Sequence, residues 1–375
     1  MSKSRIVITI PDNQGKPQNI KLGVNLPSVG IDNYLEKNLT QKPIFLEKGT
    51  EGSYGKDGNY VLFGDWPQSL KNDDVTIDEK HIFALNQWKC YKGSDNCYYV
   101  KQTAQPFNID LDKNPINQNF SNGTIVENKK DYYFKIEPIK WRILDNSFSG
   151  GKLLLSEKIL TAGCFDPHFY RDEQKITCRI IKDENIYPNN YKYSRIRAYL
   201  NGLNGSSYSI ENYKNSGFLN IAFTDNAKNC LKAVNVSNGK STLLGLGDTF
   251  EEELMEEDKN PYKYICKNTK DKVFLLSEAD ITNENYGFSP SDIESGYPAR
   301  IKQATDYAIA AGIDSRNQDN KKQGCYWFLR TPFYGASFGC RWVSNLGKVN
   351  GACSVSFNHI GLVPAVCLIN QSNQQ

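Results

Sequence analysis

Histidine is scarce in this sequence, and no two cysteines form a Cys-x-x-Cys pair. The three histidines, His81, His168 and His359, are separated by more than 80 residues. Structural metal sites need such residues at short spacings. The motifs of nucleophilic hydrolases, zinc proteases, P-loop proteins and dinucleotide-binding proteins are also absent. These absences predict a protein that is not an enzyme and that holds neither a metal nor a cofactor.

Charge of one sign and long apolar runs are lacking as well. The net charge is +3, and no stretch approaches 18 apolar residues. A nucleic-acid-binding surface needs a basic patch and a membrane helix needs such an apolar run, so we expect no nucleic acid and no membrane span. The apolar run in the first ten residues, MSKSRIVITI, is too short for a signal peptide. We expect a location at the cell surface or outside the cell if a leader was removed, and in the cytoplasm otherwise.

The ten cysteines are spaced irregularly, at positions 90, 97, 164, 178, 230, 266, 325, 340, 353 and 367. Such spacing predicts scattered buried thiols rather than a disulfide framework. Cys90 and Cys97 flank the turn-like segment YKGSDN, which leaves a hairpin disulfide open as an alternative. Cys164 precedes His168 by four residues and is a weaker candidate for a thiol–imidazole pair.

One segment of the chain is nearly uncharged. Residues 333–362 contain no Asp, Glu or Gln and only two charged residues, Arg341 and Lys348, although 23% of the whole chain is charged. The segment consists mostly of small residues, Asn and aromatic residues, and it lies between the strand-like segments YWFLRT (326–331) and GLVPAVCLI (361–369). Aromatic side chains give contact area at low entropic cost, and Ser, Gly and Asn adapt their hydrogen bonds. This composition predicts a recognition surface.

Alternating apolar and polar residues predict many strands and few helices. Residues 1–55 predict a small β-rich N-terminal module, and residues 56–370 form the longer body. N-capping residues and terminal glycines predict helices over 194–201 and 300–311. Four strands, separated by glycine or asparagine turns, are predicted around 326–330, 341–343, 353–357 and 362–368.

Six short motifs follow one another along the body: FGDWPQ (63–68), IKWRIL (139–144), SRIRAYLN (194–201), KVFLLS (272–277), YWFLRTP (326–332) and GLVPA (361–365). In this order they resemble a bacterial family of domains of unknown function that is common in multi-copy cell-surface proteins. The resemblance covers roughly residues 58–369. The chain has Thr331 where that family has Ser, and Val363 where it has Arg. The resemblance implies a family but no chemistry.

The segment between Pro332 and Gly361 also resembles the variable tail of C-type-lectin-like proteins that diversity-generating retroelements alter by mutating adenines. That resemblance implies an α+β fold, with a C-type-lectin-like mixed α/β domain behind the short N-terminal module and a variable tail over 333–360. Every residue of the segment except Trp342 and Lys348 can be reached from an AAY codon by changes at the adenines.

Ten tail residues are the predicted ligand-binding residues, and the sequence offers no catalytic and no metal-binding residue. They are Tyr334, Ser337, Phe338, Arg341, Trp342, Asn345, Asn350, Ser356, Asn358 and His359. For the aromatic members, the alternative is packing in the core of the last sheet. A lone histidine such as His359 is more often a surface or packed residue than a metal ligand. Arg330 is predicted to hold the tail by binding a buried carboxylate or carbonyl oxygens, and Trp66, Trp141 and Trp327 are predicted core residues.

Together, these features predict a non-enzymatic ligand-binding protein that displays a diversified surface to an unknown protein or glycan. One alternative is a structural or adhesive surface domain whose tail does not vary. The other is a lectin-fold enzyme related to formylglycine-generating enzymes, which would need two cysteines within disulfide reach in a cleft.

Overall fold

The computed structural model describes residues 7–11, 17–21, 42–46, 60–85, 88–107, 118–167, 171–172, 175–176, 179–181, 183–204, 212–239, 260, 262, 264–290, 296–316, 318 and 323–370. By its internal contacts the chain divides into two units, Met1–Asn38 and Leu39–Gln375. The tail and the residues described below as a candidate site lie in the second, larger unit.

Strands are the main elements of both units. In chain order they are β1 (Val7–Pro11), β2 (Pro17–Lys21), β3 (Ile44–Leu46), β4 (Tyr60–Leu70), β5 (Ile77–Leu85), β6 (Trp88–Gly93), β7 (Tyr98–Thr103), β8 (Asp131–Asp145), β9 (Gly151–Ser156), β10 (Thr161–Ala162), β11 (Arg171–Asp172), β12 (Lys175–Ile176), β13 (Arg179–Ile181), β14 (Glu184–Ile186), β15 (Leu231–Lys232), β16 (Val234–Val236), β17 (Thr269–Asp271), β18 (Val273–Phe274), β19 (Trp327–Pro332), β20 (Gly339–Val343), β21 (Val349–Ser354), β22 (Gly361–Leu362) and β23 (Ala365–Ile369). Antiparallel pairs β11–β12, β13–β14 and β16–β17 form small two-stranded sheets.

The described part of the first unit is an antiparallel hairpin of β1 and β2. β3 pairs with β4 and so belongs to the main sheet of the larger unit. The separate module over residues 1–55 stays a prediction, since most of that segment lies outside the described residues.

The main sheet is antiparallel and is organised by β8, its longest strand. The first third of β8 pairs with β7, its last third pairs with β9, and β4 pairs along the opposite edge. From β9 the sheet continues through β23 to β15, and from β7 it continues through β6 to β5. β9 has the sequence GKLLLS, and its leucines on both faces are buried, which explains why the run is apolar without alternation.

Three tryptophans anchor the core, as predicted. Trp66, Trp141 and Trp327 are almost fully buried. Each indole N–H donates to a backbone carbonyl, from Trp66 to Leu160 at 2.8 Å, from Trp141 to Phe63 at 2.7 Å and from Trp327 to Arg300 at 3.0 Å. A buried indole N–H needs such an acceptor, so these bonds also tie distant segments together.

A five-stranded sheet carries the C-terminal tail, in the order β10-β22-β19-β20-β21. β19 is antiparallel to β20 and parallel to β22. The tail therefore contains strands close to the predicted ones around 326–330, 341–343 and 362–368. The strand predicted around 353–357 instead begins at Val349 and ends at Ser354, because residues 355–356 form a turn.

The helices of the described residues are short: α1 (Arg195–Asn201), α2 (Phe218–Ala222), α3 (Asp225–Asn229), α4 (Glu278–Ile281) and α5 (Asp306–Ala310). Short 3-10 turns span Phe148–Gly150, Tyr191–Tyr193, Glu284–Tyr286 and Pro298–Arg300. The helix predicted over 194–201 is confirmed as α1, which has Ser194 as its N-cap and Gly202 in the left-handed region as its C-cap.

The single helix predicted over 300–311 is wrong in extent. A 3-10 turn ends at Arg300, residues 301–304 are extended, and Thr305 caps the short α5. Ala304 forms an isolated parallel bridge with Ile159, which draws the backbone into β geometry where the alanine spacing had favoured a helix. The tertiary contact overrides the local helix propensity.

The predicted α+β, C-type-lectin-like fold class is also wrong. The described residues are mostly β, in large antiparallel sheets, with only short helices. The tail that suggested a lectin is built into a five-stranded sheet beside a ten-stranded one. The expectation of a lectin-fold enzyme loses its basis with that fold.

Candidate functional site

The first part of the tail, residues 333–341, is interior rather than surface. Tyr334, Ser337 and Arg341 are buried. The Nε atom of Arg341 lies 3.1 Å from a carboxylate oxygen of Glu278, and both side chains are at most 2% exposed. The guanidinium of Arg341 also stacks over the rings of Phe333 and Tyr334. These three predicted binding residues therefore pack inside the larger unit.

Asn189 holds this segment in place, a role that the sequence did not predict. Its amide nitrogen donates to the carbonyls of Ala336 at 3.0 Å, Gly339 at 2.9 Å and, more weakly, Phe333 at 3.4 Å. Its backbone N–H donates to the carbonyl of Ser337 at 3.1 Å. One buried side chain thus adds a donor to three carbonyls of an irregular loop, of which Ala336 and Gly339 also accept a backbone N–H.

Arg330 holds the tail by binding a carboxylate and carbonyl oxygens, which is the role that the sequence predicted. Its Nη1 atom donates to Asp280 Oδ2 and to the Leu275 carbonyl, each at 2.7 Å, and its Nε atom donates to the Ser237 carbonyl. The hydroxyl of Thr331 accepts the backbone N–H of Glu278 at 2.9 Å. These bonds fix β19 against the start of α4.

Other predicted binding residues lie nearer the surface. Phe338 packs partly buried against the buried cluster of Phe333, Tyr334 and Ala336. Trp342 stacks on Tyr326 with 4.7 Å between ring centroids, and Asn345 donates to the Gln323 side chain at 3.1 Å. The hydroxyls of Ser356 and Ser354 lie 3.0 Å apart, while the side chain of Asn350 lies outside the described part of the structure.

A groove of about 780 Å³ opens next to the end of the tail, and we call it the aromatic groove. It is lined by Gln105, Pro106, Phe107, Asn128, Ala311, Gly312, Asp314, Arg316, Asn358 and His359. Four segments form it: the loop after β7, the loop before β8, the loop after α5 and the turn before β22. Two of the predicted binding residues, Asn358 and His359, therefore line one concave site.

Planar side chains are stacked along this groove. The ring of His359 lies between Phe107, at a centroid distance of 4.3 Å, and Phe357, at 4.9 Å. The guanidinium of Arg316 lies over the ring of Phe107 at 5.2 Å. Phe357 does not itself line the groove but stacks on His359, which does, and Phe357 is 46% exposed.

The charges in the groove are compensated. Asp314 accepts from Arg316 Nε and Nη2, both at 2.7 Å, in the bidentate geometry that suits a guanidinium and a carboxylate. This hydrogen-bonded carboxylate raises the pKa of Arg316, and nearby Tyr326 contributes a smaller rise.

The surroundings of His359 favour the neutral imidazole. Burial lowers the pKa of its imidazole below the ordinary value, and Arg316 lowers it further, against an opposing effect of Asp314. The carbonyl of His359 accepts the backbone N–H of Asp314 at 3.2 Å, which joins the turn before β22 to the loop after α5.

A backbone hydrogen bond at the end of α5 connects this helix to the loop after β7. The backbone N–H of Gln105 donates to the Ala310 carbonyl at 2.8 Å. Gly312 has a φ of +102°, and a Cβ there would lie 2.8 Å from the Gln105 carbonyl oxygen. Only glycine fits this close approach, which brings the loop of Phe107 against α5.

Phe107, Asp314 and Arg316 were missed by sequence reasoning. Phe107 lies more than 200 residues before the tail, and no local pattern links it to His359. Asp314 and Arg316 follow a helix and look like ordinary surface charges. Only the tertiary structure brings them together.

The thiol chemistry considered from the sequence finds little support. Cys97 is a free thiol, so the Cys90–Cys97 disulfide is absent. Cys340 and Cys353 are buried, and burial raises the pKa of both thiols, which keeps them protonated. His168 lies outside the described residues. Among the described residues, no group of three His, Cys, Asp or Glu side chains is arranged to hold a metal ion, and no helix has the length and apolarity of a membrane crossing.

Residues 149–370, well over half of the chain, match the model of a family described as Domain of unknown function (DUF6273). The chain belongs to this family. The DUF6273 region contains the groove residues Asp314, Arg316, Asn358 and His359 but begins after Phe107. Of the six motifs, FGDWPQ and IKWRIL lie before the matched region. No curated protein and no solved structure matches the chain.

Proposed function

We propose that this chain is a non-enzymatic ligand-binding protein and that its ligand occupies the aromatic groove. The observation that carries the proposal is the stack of Arg316, Phe107, His359 and Phe357 along a groove of about 780 Å³. That volume is within the range of small-molecule sites, and such sites combine aromatic walls with a few oriented polar groups.

A neutral glycan suits the groove better than a charged ligand. The Arg316 guanidinium is neutralised by Asp314, and the other polar lining side chains, Gln105, Asn128 and Asn358, are uncharged amides. Amides and a locked guanidinium can bind neighbouring hydroxyls, while the exposed ring of Phe357 attracts polarised C–H groups of a sugar ring.

A protein ligand is the less favoured occupant. Peptides bind most often along an unpaired strand edge or as a helix in a long apolar groove. The aromatic groove is instead formed by side chains of four loops, with amides beside its rings. A panel that includes peptides separates these two occupants.

Diversification of the tail by a retroelement is the finer part of the proposal. Its support is the codon reach of residues 333–362 together with the exposure of the last turn, where Phe357 and Asn358 are exposed. We expect variation to concentrate in that turn and near Asn345, and to spare buried Arg341 and Tyr334. Sequencing of these codons in a population grown from one cell tests this, and an invariant tail would reject it.

A binding panel tests the proposed function. The full chain is applied to immobilised neutral oligosaccharides of glucose, galactose, mannose and N-acetylglucosamine, to sulfated and sialylated glycans, and to peptides. We expect binding to neutral oligosaccharides that is lost in Phe107→Ala/Phe357→Ala. Phe45→Ala is the matched control, because Phe45 is 47% exposed on β3, away from the groove lining.

Two outcomes would count against the proposal. Equal binding by the double variant and the wild type would remove the groove as the site. Binding of peptides alone, abolished in the double variant, would keep the groove and reject the glycan.

A further inference from the structure

A second cluster of charged side chains lies in the main sheet, away from the aromatic groove. It consists of Tyr60 on β4, Lys140 and Arg142 on β8, Glu157 just after β9, and Lys302 in the segment before α5. Tyr60 and Arg142 are directly paired across the two strands, and Arg142 is paired with Leu155 on the other side. We call this group the cationic cluster.

Glu157 is the single carboxylate of the cationic cluster, and its oxygens are already engaged. The Tyr60 hydroxyl donates to Oε1 at 3.4 Å, and Lys302 Nζ lies 3.5 Å from Oε2. Lys302 also donates to the Glu157 carbonyl at 3.2 Å. Lys302 and Arg142 thus share the charge of one carboxylate, so positive charge is in excess.

Arg142 is the member of the cationic cluster whose positive charge is hardest to accommodate. Its side chain is buried, and among the described residues its Nε and Nη2 atoms have no hydrogen-bond partner. One face of the guanidinium is covered by the ring of Phe288, 4.8 Å away. Burying these N–H groups without acceptors is unfavourable, because their desolvation is not offset by hydrogen bonds, and Glu157 offsets the buried charge only in part.

We propose that the cationic cluster binds a small oxyanion, such as phosphate or sulfate, on the Nε and Nη2 atoms of Arg142. These two N–H groups point the same way from the planar guanidinium, which is the fork that grips two oxygens of one anion. Lys302 supplies a second positive charge in the cluster, and the side chain of Glu157 is 24% exposed.

The electrostatics of the neighbours agree with such a site. Burial lowers the pKa of Lys302 to about 8, and the nearby Arg142 adds to the effect. An anion between the two cations would oppose that shift and stabilise both charges. The site includes no residue of the aromatic groove, so the oxyanion proposal does not depend on whether the groove binds a glycan.

The test is thermal unfolding of the full chain in increasing sodium phosphate, at constant pH 7 and at ionic strength held constant with sodium chloride. We expect the Tm of the wild type to rise by a few degrees and to saturate, because the anion binds the folded state only. Arg142→Met should lose the saturable rise, and Arg142→Lys should lose most of it, since lysine keeps the charge but lacks the fork. Lys89→Met, at an exposed position on β6, is the control that keeps the rise.

An equal rise in all four proteins would overturn the proposal, because phosphate also stabilises proteins by exclusion from their surface. The comparison with Arg142→Lys decides the matter if Arg142→Met does not fold. Phenyl phosphate, used in a parallel series, separates the two sources of the oxyanion. If phenyl phosphate raises the Tm as strongly as phosphate does, the natural oxyanion is part of a larger molecule. If its effect on the Tm is weaker, the natural oxyanion is the free ion. Both outcomes support the site.

Discussion

At the scale of single residues, burial decides which side chains can take part in recognition. The tail composition predicted a surface, yet Tyr334 and Arg341 are interior, while Asn358 and His359 line the groove. Composition alone cannot separate these cases, because aromatic and small residues suit both a core and a binding surface. The predicted role of Arg330 was correct because an arginine within an apolar strand must find acceptors wherever the strand packs.

Asp65 gives a pH-dependent prediction. Burial raises the pKa of its carboxyl from 3.8 to about 7. The folded state therefore binds a proton that the unfolded state has lost, and stability falls as pH rises from about 4 to about 7. Asp65→Asn should match the wild type near pH 4 and exceed it by up to ~4 kcal/mol above pH 7. Urea unfolding across this range measures the difference, and a variant that is less stable at every pH would contradict it.

The Glu278–Arg341 pair gives a second prediction. Both side chains are buried, so removing one partner leaves the other charge uncompensated. Glu278→Gln should cost ~3–5 kcal/mol of unfolding free energy. The control is Glu184→Gln, since Glu184 binds Lys267 at 2.7 Å in a largely exposed pair and its loss should leave stability unchanged. If denaturant unfolding gave the same loss of unfolding free energy for both variants, the buried pair would contribute no more than the exposed pair, which would contradict the prediction.

At the scale of elements, the tail consists of strands, and residues from distant parts of the chain hold its loops in place. The sequence predicted most tail strands near their observed positions because turns at Gly and Asn punctuate them. It could not predict that Asn189 would donate to the loop carbonyls, because that contact spans about 150 residues. The non-helical segment before Thr305 was not predicted for the same reason, since the bridge between Ala304 and Ile159 is also long-range.

Asn189→Ala tests the role of this clamp. The carbonyls of Ala336 and Gly339 would keep only their backbone donors in a buried setting, and we expect a loss of ~1–3 kcal/mol of unfolding free energy. Amide hydrogen exchange should accelerate most at Phe333 and Gly339, whose N–H groups close this loop. Exchange that speeds up evenly over the whole larger unit would contradict a local clamp.

At the scale of the whole molecule, the matched family region and the folded core do not coincide. The core joins Phe63, Trp66 and Trp141, which precede residue 149, to residues of the matched region. A fragment of residues 149–375 should therefore fail to unfold cooperatively, while a fragment of residues 39–375 should unfold in one transition. Calorimetry of both fragments measures this, and a cooperative transition in the shorter one would contradict a shared core.

The central claim is that the aromatic groove binds a ligand. The most direct measurement is a calorimetric titration of the tightest neutral oligosaccharide from the panel into the wild type, Phe357→Ala and Phe45→Ala. We predict that Phe357→Ala weakens binding at least about tenfold, equivalent to ~1.4 kcal/mol, while Phe45→Ala keeps the wild-type Kd. The same Kd for all three proteins would contradict the claim.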